Sequence, residues 1–224
     1  MRIMMTTPIA EFEVAVGPRR LGGSLAVPED AQGSIIFAHG SGSSRFSPRN
    51  RFVAAALRER RLATLLMDLL SEEEAEDRRN VFDIPLLASR VVEAIDWAAI
   101  EPLLRNLPIG LFGASTGAAA ALVAAVERPQ KVKAIVSRGG RPDLAGHALE
   151  HVRAPTLLIV GGLDFEVLNL NRIAARRLAD ARLDVVPGAT HLFEETGTLE
   201  QAAALAAEWL AEKLARRDRS ERFA

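Results

Sequence analysis

The chain has 224 residues, 49% of them hydrophobic and 25% charged, which is the composition of one ordinary globular domain with a sizeable core. A net charge of −1 gives no ground for nucleic acid or an acidic membrane as partner, and the absence of cysteine excludes disulfides, thiolate nucleophiles and cysteine-ligated metals. The opening MRIMMTTPIAEFEV lacks the apolar run of a signal peptide, and no stretch approaches the roughly 18 apolar residues of a membrane span, so a cytoplasmic protein is expected.

In chain order, EFEVAV (11–16) and RLGGSLAVP (20–28), joined through Gly17-Pro18, predict an antiparallel hairpin. Six further apolar runs follow, at 34–40, 62–70, 108–114, 132–137, 155–162 and 181–187. They are rich in Val, Ile and Leu without alternation, as strands covered on both faces are. Helical periodicity fills the gaps near 48–61, 82–104, 116–127, 165–179 and 198–216; within 82–104, Ile84, Leu87, Val91, Ile95 and Ala98 form a stripe at spacings of three and four. The expected architecture is α/β: one domain over 1–216 with an eight-stranded, mostly parallel sheet, an N-terminal antiparallel hairpin and helices on both faces. A charged, frayed tail over 217–224 is expected to follow.

Reactive groups in such a sheet gather at the carboxyl ends of the strands. The loops there read HGSGSSRFSPRN, SEEEAEDRRN, GASTG, SRGGRPD, GGLD and GATHLF. In Gly113-Ala114-Ser115-Thr116-Gly117 an apolar strand runs into a helix through a serine flanked by glycines. With 11 serines and 16 glycines in the chain, only about 0.06 accidental Gly-x-Ser-x-Gly matches are expected. Ser115 is therefore the candidate nucleophile, and it needs a base held in the correct tautomer. His191, after the last strand, supplies the base, and Asp164, after the seventh strand, the acid that orients it. Asp143 and Asp184 are the rival acids. A different reading of Asp164 is an N-cap for the helix that follows. His39-Gly40-Ser41-Gly42 follows the third strand, and the backbone N–H groups of Ser41 and Thr116 are the expected oxyanion donors, each worth about 3 kcal/mol in comparable sites. His39 is expected to brace that loop rather than act as a base, and is also a candidate for contact with substrate.

Taken together, HGSGSSRFSPRNRFVA, LATLLMDLL, GASTGAAAALVAAVERP, VSRGGRPDLA, APTLLIVGGLD and HLFEE resemble the dienelactone hydrolase-like branch of the α/β-hydrolases over nearly the whole chain. The resemblance implies the α/β-hydrolase fold, a Ser115–Asp164–His191 triad, and hydrolysis of small-molecule carboxylic esters or lactones with no cofactor and no metal. Domains of this kind also occur fused to phosphoribosyltransferase domains. Dienelactone hydrolases proper use a cysteine nucleophile; serine stands in its place here, which favours a serine esterase over a hydrolase of dienelactone itself.

The connection from Ser137 to Pro155 is too short for a lid domain, so an open site for small acyl groups is expected, in a monomer or homodimer. Arg45, Arg49, Arg138 and Arg141 fall in loops on the catalytic edge. They either hold an anionic substrate group or, the favoured reading, pair with the acidic run Glu72, Glu73, Glu74, Glu76 and Asp77. His147-Ala-Leu-Glu-His151 matches the H-x-x-E-H of a metallopeptidase, a minor alternative. A second alternative is a catalytically weak hydrolase scaffold kept as a binding or partner module.

Overall fold

The computed structural model describes residues 9–215; the expected tail at 217–224 lies outside the described residues. The eight strands are β1 (Ile9–Val16), β2 (Leu21–Pro28), β3 (Gly33–Ala38), β4 (Leu62–Met67), β5 (Ile109–Ala114), β6 (Val132–Arg138), β7 (Thr156–Gly161) and β8 (Ala181–Val186). They form one sheet in the order β1-β2-β4-β3-β5-β6-β7-β8. β1 and β2 pair antiparallel, β2 is antiparallel to β4, and every later pair is parallel. The chain leaves β3 towards β4 on one side and returns to β5 on the other. The crevice at that reversal opens at the ends of β3 and β5, where an open α/β sheet places its ligands.

Among the described residues six α-helices lie between strands, α1 (Pro48–Glu59), α2 (Glu72–Glu76), α3 (Arg78–Phe82), α4 (Ile84–Ala98), α5 (Thr116–Glu127) and α6 (Phe165–Ala175), and α7 (Thr198–Leu214) follows β8. Side chains of β5 alternate between the two faces: Ile109 and Leu111 join the core under α4 and α5, while Phe112 and Ala114 join the core under α1 and α7. Helix α5 is hidden on nearly every side, with Ala118, Ala119, Ala120 and Ala121 fully buried. A helix without a polar face is stable only in such a position. Among the described residues no helix is long and apolar enough to cross a membrane.

The clearest departures from expectation lie in two segments. The helix expected over 82–104 starts at Ile84 and ends at Ala98. Asp83 accepts a hydrogen bond from the Leu86 N–H, which sets its start, and Pro102, with no N–H to give to the Ala98 carbonyl, keeps the helix from running on. The segment SEEEAEDRRN, expected as loop, holds α2 and α3: Ser71 and Glu74 form a reciprocal capping box, and the Asp77 side chain caps the Arg79 N–H. Between β6 and β7 the chain makes only 3-10 turns over Pro142–His151, broken at Gly146, with no inserted lid.

Candidate active site

Ser115 stands where β5 turns into α5, with φ 50° and ψ −123°. A non-glycine residue at positive φ costs of order 1–3 kcal/mol and persists only where its surroundings enforce it. They do so here. The Ser115 carbonyl accepts from the Ala118 N–H at 3.1 Å and the Arg141 N–H at 3.0 Å. The flanking glycines are a steric necessity: a Cβ on Gly113 would lie 2.4 Å from Ala118 Cα, and one on Gly117 would lie 2.2 Å from the Ala38 carbonyl oxygen. The tight turn thus lets α5 start directly against the ends of β5 and β3.

His191 Nδ1 donates to Asp164 Oδ2 at 2.6 Å. Asp164 begins α6 yet makes no side-chain cap to it, so its carboxylate serves the imidazole rather than the helix. The rival acids are engaged elsewhere, Asp143 with Arg141 and Asp184 with Arg182. The turn carrying His191 is anchored on both sides. Phe193, at φ 55°, is buried and its N–H reaches the Thr190 carbonyl at 3.3 Å. Glu195 accepts from the Thr190 N–H at 3.0 Å and from its hydroxyl at 2.6 Å. Sequence reading assigned no role to Phe193 or Glu195, although both lie in the HLFEE segment.

Ser115 and His191 line a cavity of about 260 Å³ together with Gly40, Ser41, Arg138 and Leu192. A larger cavity, about 670 Å³, shares Gly40, Ser41 and Ser43 with it but reaches neither Ser115 nor His191. Of the two expected oxyanion donors, the Ser41 N–H is already given to Thr116 Oγ1 at 2.9 Å. Thr116 is the first residue of α5, and its own N–H therefore has no carbonyl within the helix to bond.

Both ring nitrogens of His39 are used by the backbone: Nδ1 donates to the Gly40 carbonyl at 2.9 Å, and Nε2 accepts from the Leu69 N–H at 3.2 Å. Burial pushes its pKa below the usual histidine value, which keeps the ring neutral. These two bonds tie the ring to the loop after β3 and to Leu69, and leave no ring nitrogen for the substrate contact that the sequence also suggested.

The edge arginines correct the favoured expectation, because none of the four pairs with the run Glu72–Asp77. Arg45 binds Asp68 and reaches Glu13, Arg49 pairs with Glu194 at 3.3 Å, and Arg141 with Asp143 at 2.8 Å. The acidic run instead binds Arg90, buried under α2, through Glu74, and Arg79 through Asp77. Arg138 has no carboxylate partner among the described residues. Its Nη2 reaches Asn50 Oδ1 at 3.4 Å, and Asn50 is a lining residue that sequence reading did not single out.

His147 and His151 lie in 3-10 turns, where residues four apart point about 120° from each other rather than along one face. Glu150 between them pairs with Arg177. Among the described residues no group of three or more metal-ligating side chains comes together, so the H-x-x-E-H pattern does not build a centre here.

A family model described as the dienelactone hydrolase family matches residues 60–215. Two proteins from strains of Mycobacterium tuberculosis that carry the name phosphoribosyl transferase are 57% identical over 205 residues. That alignment covers 91% of this chain but 46% of theirs, so the chain spans about half the length of the curated relatives it matches. A dienelactone hydrolase structure from Anabaena variabilis is 54% identical and superposes with a TM-score of 0.88, covering 93% of this chain and 99% of that one. Est1E from Butyrivibrio proteoclasticus, solved with ferulic acid bound, shares the fold at a TM-score of 0.78 and 16% identity, with 91% and 99% of the two chains covered.

Proposed function

The chain belongs to the dienelactone hydrolase family, and from that premise we propose that it is a serine hydrolase that cleaves carboxylic esters or lactones of small, accessible substrates through an acyl-enzyme on Ser115. The observation that carries this reading is the strained Ser115 elbow opening into the same small cavity as His191, whose far nitrogen is held by Asp164. With no cysteine in the chain, serine is the residue at this elbow that can attack.

In the proposed reaction His191 Nε2 takes the Ser115 proton as Oγ attacks the ester carbonyl. Asp164 keeps the proton of the resting imidazole on Nδ1 and stabilises the imidazolium that forms. The tetrahedral oxyanion falls to the Thr116 N–H at the positive end of α5. Ser41, whose N–H is committed to Thr116 Oγ1, contributes by fixing the loop. His191 returns the proton to the leaving alcohol, and water repeats the sequence to release the acid. No lid is inserted after β6 to cover the loops on the sheet edge, and this fits small or accessible acyl groups.

A scaffold kept only for binding has no need of an oriented acid–base pair, and His191 and Asp164 form one. For the relatives' phosphoribosyl transferase name, we assign that activity to the part of those proteins which this chain does not cover.

The test is hydrolysis of p-nitrophenyl acetate and butyrate by the wild type and Ser115→Ala, with circular dichroism on both. A fall of about a thousandfold or more in turnover by a folded Ser115→Ala protein is expected. Equal turnover by the two proteins would remove Ser115 as nucleophile.

A further inference from the structure

Arg138 ends β6 on the α1 side of the sheet, only 8% exposed. Its guanidinium carbon lies 5.9 Å from the ring centroids of Phe112 and Phe193, both buried. The only hydrogen bond it makes among the described residues is the one to Asn50; Nη1 is buried without a partner. Burial pushes its pKa down to about 10, with the positive charge of Arg49 adding to the effect, and at neutral pH it stays protonated. A desolvated cation without a counter-charge is costly, and buried charges are ordinarily paired. What lies in front of it is the cavity that Ser115 and His191 also line.

The same cavity is bordered by Ser47, Arg49 and Asn50, the N-cap and first turn of the twelve-residue helix α1. The partial positive end of a helix, two guanidinium groups and an amide thus converge on one small space. Arg49 is partly neutralised by Glu194, itself mostly exposed, whereas no carboxylate among the described residues pairs with Arg138. A planar guanidinium with free N–H donors is shaped to hold two oxygens of one group.

We propose that Arg138, with Arg49 and Asn50 at the head of α1, forms a subsite for an oxyanion group, carboxylate or phosphate, carried by the substrate whose ester bond Ser115 attacks. The inference rests on the serine hydrolase reading for its substrate, but not for the binding of the anion. It makes the preferred ester an acidic one, with a short spacer between the anion and the scissile carbonyl, since both must fit in about 260 Å³.

The experiment measures glutarate and inorganic phosphate binding by calorimetry to Ser115→Ala and to the same protein carrying Arg138→Met, Arg138→Lys or Arg49→Ala, all checked by circular dichroism. Binding about tenfold weaker or more in Arg138→Met, and intermediate in Arg138→Lys, which keeps charge but loses the fork, is the expected result. Arg49→Ala, on the exposed side, weakens the same anion and covers the case in which Arg138 variants do not fold. Preference for glutarate identifies a carboxylate subsite; preference for phosphate identifies a phosphate ester. No binding of either anion, or equal affinity in all variants, overturns the proposal. In parallel, the ratio of kcat/KM for mono-p-nitrophenyl glutarate to that for p-nitrophenyl butyrate is expected to drop about tenfold or more in Arg138→Met. Ser115-dependent turnover with an unmoved ratio leaves the hydrolase reading standing and the subsite refuted. Arg138-dependent anion binding without Ser115-dependent turnover does the reverse.

Discussion

The backbone N–H of Ser41 donates to Thr116 Oγ1 at 2.9 Å, latching the loop after β3 to the residue that follows Ser115. The two segments are 75 residues apart in sequence, and one hydroxyl ties them together across the crevice. Replacing that hydroxyl by a methyl should loosen the loop and the Thr116 N–H with it. Thr116→Val is expected to lower kcat on p-nitrophenyl acetate by about tenfold, a fraction of what loss of a direct oxyanion donor costs, while Thr116→Ser retains most of the rate. A Thr116→Val enzyme with wild-type kcat would show that the latch has no bearing on the reaction.

Asp164 holds His191 through a single 2.6 Å hydrogen bond. Asp164→Asn leaves the packing intact but offers the imidazole an amide, which favours the wrong tautomer. The expected fall in kcat is about a thousandfold to ten-thousandfold. Asp184→Asn, which disturbs only the exposed pair with Arg182, should stay within about twofold of wild type. Comparable losses in the two variants would move the catalytic acid elsewhere.

The elbow glycines make a stability prediction. A Cβ on Gly117 meets the rigid backbone of Ala38 and His39 at 2.2 and 2.4 Å, so neither side can yield cheaply. Gly117→Ala is expected to cost about 3 kcal/mol or more, read by urea denaturation, or to prevent soluble expression. Gly188 also lies at positive φ, 74°, but has open space around it, so Gly188→Ala should cost only about 1 kcal/mol. Equal costs would mean that crowding at the elbow is not what selects glycine.

His39 predicts how stability depends on pH. Its pKa is depressed by burial in the folded state, so the unfolded chain binds the proton more tightly. Stability is therefore unaffected by this group well above the ordinary histidine value of 6.5, declines as pH falls through 6.5, and levels off below the folded-state pKa. His39→Gln, which cannot titrate, should flatten this part of a melting-temperature profile measured from pH 7.5 to 5. The acid-side loss from carboxylates such as Glu74, depressed mainly by the Ser71 N–H, would remain at lower pH. An unchanged slope between pH 6.5 and 5 in His39→Gln would rule His39 out as its source.

The strand count, the hairpin and the serine elbow were legible because each rests on neighbours in sequence. Apolar runs report burial on both faces of a sheet, and glycine two residues either side of Ser115 reports a turn without room for Cβ. The positions of Asp164 and His191 were also legible, as each lies in a loop that follows a strand and a parallel sheet brings strand ends to one edge. The caps at Ser71, Asp77 and Asp83 are local too, and the Ser71-x-x-Glu74 box was readable, yet the segment counted only as a loop after a strand. The fate of the arginines was decided only by the tertiary structure. Arg45 found Asp68 and Arg49 found Glu194, 23 and 145 residues away, instead of the acidic run that the shared edge suggested. Arg138 was left without a carboxylate because strand alternation points it to the α1 face, between Phe112 and Phe193, where no acidic side chain among the described residues reaches it. Composition and spacing state how many charges a chain carries and which elements bear them. Which charges meet depends on the separation and burial of whole elements, because Coulomb attraction at the surface is too weak to choose a partner against the packing that positions it.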